Sequence, residues 1–202
     1  MTKDSATLAS LVGSRLCHDL ISPVGAIQNG LELLDLSGFS SDMPELELIR
    51  DSCANAAARI RFFRVAFGSA ADTQMMGERE IRAIFNDLTR GARVKAEWRP
   101  TKDILRTEVQ LAFLAHLCCE AALPQGGNVR HERGEVGWSI GATGPRLNVV
   151  APLWAHLSGG PGPEEITADK VQFAMLACLT QDTGRTVRVH HGENSLRLEI
   201  LH

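Results

Sequence analysis

Apolar residues recur at helical spacing through the first third of the chain. Leu20, Val24, Ile27, Leu31 and Leu34 step by 4, 3, 4 and 3 residues. After the polar stretch DLSGFSSD, which contains Gly38, a second run follows: Leu46, Ile49, Cys53, Ala56, Ile60, Phe63 and Phe67, stepping by 3, 4, 3, 4, 3 and 4. This pattern predicts two amphipathic helices with an a/d-type seam over about three heptads. Pro44 suits the first turn of the second helix, with Ser41 and Asp42 as candidate caps. Each helix should run for roughly 25–30 residues, or about 40 Å. A two-helix hairpin cannot bury both seams, whereas two hairpins make a four-helix bundle. The pattern therefore predicts a homodimer; the alternative is that the rest of the chain covers the seam.

From Thr73 the periodicity changes. Helices are expected over EREIRAIFNDLTRG, closed by Gly91, and over TEVQLAFLAHLCCEAAL, ended by Pro124. A third is expected over TADKVQFAMLACLTQDTG, with Thr167 as cap and Gly184 as stop. RVKAEW, NVRHER, EVGWSIG and RLNVVA read as strands, SGGPGPEE as a loop, and TVRVHHGENSLRLEIL as a hairpin turning at GEN. Helices interspersed with hairpin strands predict a layered α+β domain. The organisation expected is a helical hairpin over 1–70 and an α+β domain over 71–202, connected through GSAADTQMMG.

Composition narrows the class without naming it. The 202 residues are 44% hydrophobic and 22% charged, as in ordinary globular proteins. A net charge of -3 gives no basic field for nucleic acid, and no apolar run is long enough to span a membrane. The first residues, MTKDSATLAS, show no signal-peptide core. The five cysteines form no CxxC pair and read as free thiols, so a cytoplasmic setting is expected. Cys118, Cys119 and His116 match no zinc spacing, and His190 and His191 alternate across a strand, so no metal site is expected. Trp98, Trp138 and Trp154 read as core or interface residues.

The chemistry lies near the start, in RLCHDLISPVGAIQNG. On a helix, Ser14, His18, Ser22, Gly25 and Asn29 share one side, away from the apolar seam. His18 should therefore face solvent from a rigid scaffold. A neutral imidazole is a nucleophile at pH 7, and Asp19 can accept its other ring proton, fixing the tautomer. Pro23 removes a backbone donor and crowds the carbonyl of residue 19, so the helix should bend or loosen there. Gly25 keeps the surface flat enough for another backbone to approach.

The segment HDLISPVGAI resembles the H-box of two-component sensor kinases: His18, Asp19, Leu20, Pro23 and Val24 match in type and spacing. The order of elements, hairpin before α+β domain, is also similar. The resemblance implies that His18 carries phosphate as a phosphoramidate, that Asp19 is the proton acceptor, and that the hairpins dimerise. Against that family's ATP-site motifs the chain departs. Glu120-Ala121 stands where Asn-Ala is usual, Ala142 replaces the adenine-reading aspartate, and Arg146 replaces the last glycine of that loop. Before the last helix, SGGPGPEEITADKVQ has no Gly-x-Gly leading into it. The adenine amine would lose its charged acceptor and magnesium a ligand, so no ATP binding is expected.

This combination resembles the ChpT-type histidine phosphotransferases of alphaproteobacteria, which look like sensor kinases with a degenerate ATP-binding domain. The fold implied is α+β: a hairpin dimerising into a four-helix bundle, then a degenerate Bergerat-type (histidine kinase ATPase-like) α/β sandwich. The activity implied is phosphorelay. His18 would accept phosphate from the receiver aspartate of a CckA-type hybrid kinase and pass it to CtrA-type and CpdR-type response regulators, with cell-cycle control as the setting. The protein would need no cofactor of its own, magnesium coming with the receiver. The receiver would dock along the strip Ser22, Gly25, Gln28 and Asn29, with Arg15 one turn on the other side. Two alternatives remain open: an ATP-dependent sensor kinase with divergent motifs, and a non-catalytic dimeric scaffold that binds receivers.

Overall fold

The computed structural model describes the backbone of residues 3–37, 44–71 and 73–202, with side chains for 6–34, 46–71 and 73–202. Two long helices lead, α1 (Lys3–Ser37) and α2 (Pro44–Ala66), packed against each other. The candidate turn and caps at Gly38, Ser41 and Asp42 lie outside the described residues. The α1 helix passes through Pro23 without a break. Proline there removes one hydrogen bond, to the carbonyl of Asp19, and the other bonds of a 35-residue helix hold the turn.

The remainder is a helical layer on one face of a mixed sheet. Its elements are β1 (Met75–Met76), α3 (Glu78–Leu88), β2 (Val94–Trp98), β3 (Ile104–Leu105), α4 (Arg106–Ala121), β4 (Gly127–Gly134) and β5 (Gly137–Thr143). There follow α5 (Ala151–Leu157), a 3-10 turn (Ala168–Lys170), α6 (Val171–Asp182), β6 (Thr186–His191) and β7 (Ser195–Leu201). The five long strands run in the order β2-β4-β5-β7-β6. Only β2 and β4 pair in parallel, Val94 opposite Gly127, because α4 carries the chain across between them. The other neighbours are antiparallel, and β1 and β3 form a separate short pair. The α+β class expected from the sequence is the class observed.

Strand alternation decides which face is covered. On β7, Leu196, Leu198 and Ile200 are buried, while Ser195 and Arg197 are exposed. Beneath the helices the core is aromatic: Phe62 stacks on Phe113 at 4.6 Å, and Phe85, Trp98, Trp138, His116 and His131 complete the cluster. Phe62, Phe63, Val65 and Ala66 of α2 belong to this same core. Arg106 Nη2 donates to the carbonyl of Arg64, and Gln110 Nε2 to those of Ala66 and Gly68. These side chains of α4 satisfy carbonyls that the end of a helix leaves open. The core is thus continuous across the expected boundary at residue 70.

Four expectations need correction. RLNVVA is not a strand: Asn148 N–H bonds the carbonyl of Ala122, Leu147 and Val149 pack on the core, and no ladder partner is present. The segment APLWAHL, not expected as an element, is α5, with a proline in its first turn and Trp154 edge-on to Phe173. The last helix begins as a 3-10 turn, and the Thr167 hydroxyl bonds the Asp169 carboxylate rather than capping the backbone. Phe63, placed on the intermolecular seam by spacing, is buried in the core, so the second half covers the base of the seam. Of the rest of the seam, Leu34 is buried and Leu20 and Ile27 are half-buried, while Val24, Leu31 and Ile60, with Ile21 beside them, are large and exposed.

Candidate active site

The α1 helix turns residues by about 100° each, which sets what shares a face with His18. Its buried side carries Leu16, Asp19, Pro23, Gly30 and Leu34, toward α2 and the sheet layer. His18 lies about a quarter turn away and its side chain is 80% exposed. Ser22 and Asn29 lie in line with it and are exposed; Gly25, also in line, is half-buried. Gln28 is exposed but sits roughly 80° round the helix from His18, toward the bare apolar stripe.

His18 Nδ1 lies 3.1 Å from Asp19 Oδ1. A carboxylate only accepts, so the imidazole in this contact donates its proton from Nδ1 and keeps the Nε2 lone pair free. Asp19 is itself largely covered. Arg15 Nε donates to its other oxygen, Oδ2, at 2.8 Å, and Arg59 Nη1 stands 3.8 Å from the same atom. Arg15 Nη1 continues to the carbonyl of Asp169, at 2.6 Å. Arg15, one turn from the expected docking strip, is therefore engaged within the molecule, its side chain 16% exposed.

Two concavities flank this pair. A shallow groove beside His18 is lined by Ser22, Pro23 and Ala26 of α1 and by Ser52, Asn55 and Arg59 of α2. The α2 residues escape the sequence reading because that reading follows only the apolar seam of α2, and their polar faces meet His18 only once the hairpin closes. On the far side of Asp19 a cleft of about 270 Å³ separates the hairpin from the sheet layer. Its charged lining is balanced: Arg15, Arg59 and Lys170 against Asp19, Glu120 and Asp169. Glu120 reaches solvent at the mouth but is crowded by protein on its other sides. That crowding pushes its pKa up; Arg59 and Arg15 pull the other way, and Asp19 adds to the rise.

The other candidate chemistry lies in the core. Cys118 and Cys119 are fully buried, and burial pushes both thiols up, Cys119 to about 12. His116 and His131, stacked with centroids 5.2 Å apart, are pushed down by burial, His131 to about 4. Ala142 is buried in the core, and Arg146 is exposed.

A helical hairpin with an outward histidine beside a mixed α+β layer is the architecture of a phosphotransfer protein, and comparison with known proteins agrees. Residues 78–195 match the model of the histidine phosphotransferase C-terminal domain. The chain is 34% identical over 197 residues to protein phosphotransferase ChpT of Brucella abortus (strain 2308), covering 94% of this chain and 93% of that protein. A solved bacterial phosphotransferase superposes with a TM-score of 0.81 at 31% identity, covering 99% of this chain and 98% of that one. The chain belongs to the histidine phosphotransferase family and is a histidine phosphotransferase. Among the described residues no helix is long and apolar enough to cross a membrane.

Proposed function

We propose that His18 is the phosphoacceptor and that the chain relays phosphoryl groups between receiver domains. The observation that carries this is the outward imidazole with Nδ1 held by Asp19. In the forward step Nε2 attacks phosphorus in line. The P–O bond to the receiver aspartate breaks, the P–Nε2 bond forms, and the carboxylate leaves with its electron pair. The Nδ1 proton stays on the ring, where Asp19 stabilises the positive charge that the phosphorylated imidazole acquires. In the return step an aspartate of a second receiver attacks the same phosphorus and the P–N bond breaks. The hairpin contributes position and a prepared tautomer; magnesium comes with the receiver.

The groove beside His18, with Ser22, Gly25, Gln28 and Asn29 along its helix, is the receiver-docking surface in this reading. The resemblance of the sequence points to a CckA-type hybrid kinase as donor and to CtrA-type and CpdR-type regulators as acceptors, in the cytoplasm. The bare stripe on α1 and α2 is the surface for a homodimer. The sheet layer adds a second contact to the receiver, raising the effective concentration at His18. The interdomain cleft takes no nucleotide: its charged lining is balanced, and Glu120 would oppose a triphosphate. The test is transfer from a phosphorylated receiver domain, without ATP. The unmutated chain takes acid-labile phosphate and His18→Ala takes none while keeping its fold. Phosphorylation of the unmutated chain by ATP alone would favour the kinase alternative, and absence of transfer in both proteins the scaffold.

A further inference from the structure

We propose that Arg15 is a positioning residue that brackets the His18–Asp19 pair to the sheet layer, so that the second half of the chain sets the tautomer of the reactive histidine. The proposal rests on His18 being the phosphoacceptor. Its basis is how the two oxygens of Asp19 are divided. Oδ1 faces His18 Nδ1 at 3.1 Å, and Oδ2 takes Arg15 Nε at 2.8 Å. A carboxylate is rigid and planar, so holding one oxygen aims the other. Asp19 alone, next to His18 in sequence, could swing on its own torsions; the guanidinium removes that freedom.

The far end of Arg15 is fixed from across the molecule. Nη1 donates at 2.6 Å to the carbonyl of Asp169, 154 residues away, in the 3-10 turn before α6. That carbonyl also accepts Nε2 of the buried Gln172, at 3.1 Å. The turn is tied by the Asp169 carboxylate, which receives Thr167 Oγ1 and Lys170 Nζ, each at 2.6 Å. Arg15 thus joins a fixed point on the sheet layer to the acid that orients His18. A planar fork with donors at both ends spans two acceptors, which one ammonium cannot do. Arg59, 3.8 Å from Oδ2, contributes charge beside the same oxygen.

The test reads the tautomer directly, in the full-length chain labelled with nitrogen-15. Long-range proton–nitrogen spectra near pH 7.5 separate protonated from bare ring nitrogens, and His18→Ala assigns the signals. In the unmutated protein His18 should be the Nδ1–H form. In Arg15→Gln the signals should move toward the Nε2–H form that an unconstrained neutral histidine side chain prefers. Transfer from a phosphorylated receiver domain should slow by roughly 10-fold to 100-fold, the scale expected from misplacing a reacting group, with receiver affinity unchanged. Should Arg15→Gln not fold, Arg15→Lys takes its place with the same expectation. Asp169→Ala, which loosens the turn but keeps the backbone carbonyl that Arg15 meets, should move both readouts the same way by less. Arg15→Gln with the Nδ1–H signal and rate of the unmutated chain overturns the proposal, and Asp169→Ala with both unchanged removes the sheet layer from it. If His18→Ala still takes phosphate, the site assignment fails instead, whatever the tautomer does.

Discussion

A glycine inside a helix costs roughly 0.5–1 kcal/mol relative to alanine, so Gly25 invites an explanation. A Cβ built on Gly25 meets nothing within 4 Å, so the chain's own packing does not demand it. In the proposed docking reading, the reason is an approaching partner. Gly25→Ala should raise the unfolding free energy by about 0.5–1 kcal/mol in chemical denaturation. Gly25→Leu should keep the fold yet weaken receiver binding by roughly 10-fold to 100-fold in calorimetry, the scale of overpacking a contact. Unchanged affinity in Gly25→Leu would take this residue out of the docking surface. A second residue-scale prediction concerns His131 and His116, which burial holds neutral in the fold. The unfolded chain binds a proton on each near pH 6.5, and folded His131 only near 4. Stability is therefore complete above about pH 6.5 and falls as pH drops toward 4, by about 3 kcal/mol from His131 alone, with His116 adding in the same direction. Denaturation at pH 7.5, 6 and 5 should show this slope, and His131→Leu should flatten it. The sequence displays His18 and Asp19 as a pair because they are adjacent and in a recognisable setting. It does not show that Arg15 turns inward, since the carbonyl it meets lies 154 residues away.

Elements were legible where period and punctuation agreed. The strands of the last hairpin meet at Gly192–Asn194 as the alternation predicts, and α4 ends just before Pro124. RLNVVA failed because alternation reports which side chains face the core, not whether a neighbouring strand exists; its Leu147 and Val149 do pack inward. The junction of α2 with α4 was invisible for a related reason. Arg106 and Gln110 read as polar positions at the start of a helix, yet both are buried against the end of α2. Gly68 fits the same junction, because a Cβ there would come within 2.3 Å of the Arg64 carbonyl oxygen. Gln110→Leu leaves the carbonyls of Ala66 and Gly68 without this donor and should cost about 1–3 kcal/mol, read as a lower Tm. An unchanged Tm would mean that water replaces the amide. The same junction ties the hairpin to the rest of the chain, since a cut at residue 70 would expose Phe62 and Phe63.

At the scale of the whole molecule, the apolar seam is only partly covered. The sheet layer takes Leu16 and Phe67 partly, and Phe62, Phe63, Val65 and Ala66 fully, which leaves one apolar side of the hairpin exposed. On α1 the exposed residues Ile21, Val24 and Leu31 step by 3 and 7, a stripe on the side of the helix away from Asp19; Leu33, also exposed, lies off it. Ile60 on α2, 52% exposed, extends it at the level of the sheet layer. Burying such side chains is worth roughly 1.5–3 kcal/mol each. Four per protomer, doubled by symmetry, make a second hairpin the natural cover, and the pairing leaves His18 on a separate face, open to a receiver. The unmutated chain should therefore sediment as a dimer at micromolar concentration. Val24→Asp combined with Ile60→Asp should give a monomer that keeps its sheet, because neither side chain belongs to the aromatic core. Substituting Phe63 would not serve, as it would unfold the layer itself. Far-ultraviolet dichroism of the double variant should retain the strand signal, with a lower midpoint for the helices. A monomeric unmutated chain, or a double variant that stays dimeric, would show that this stripe is not the dimer surface.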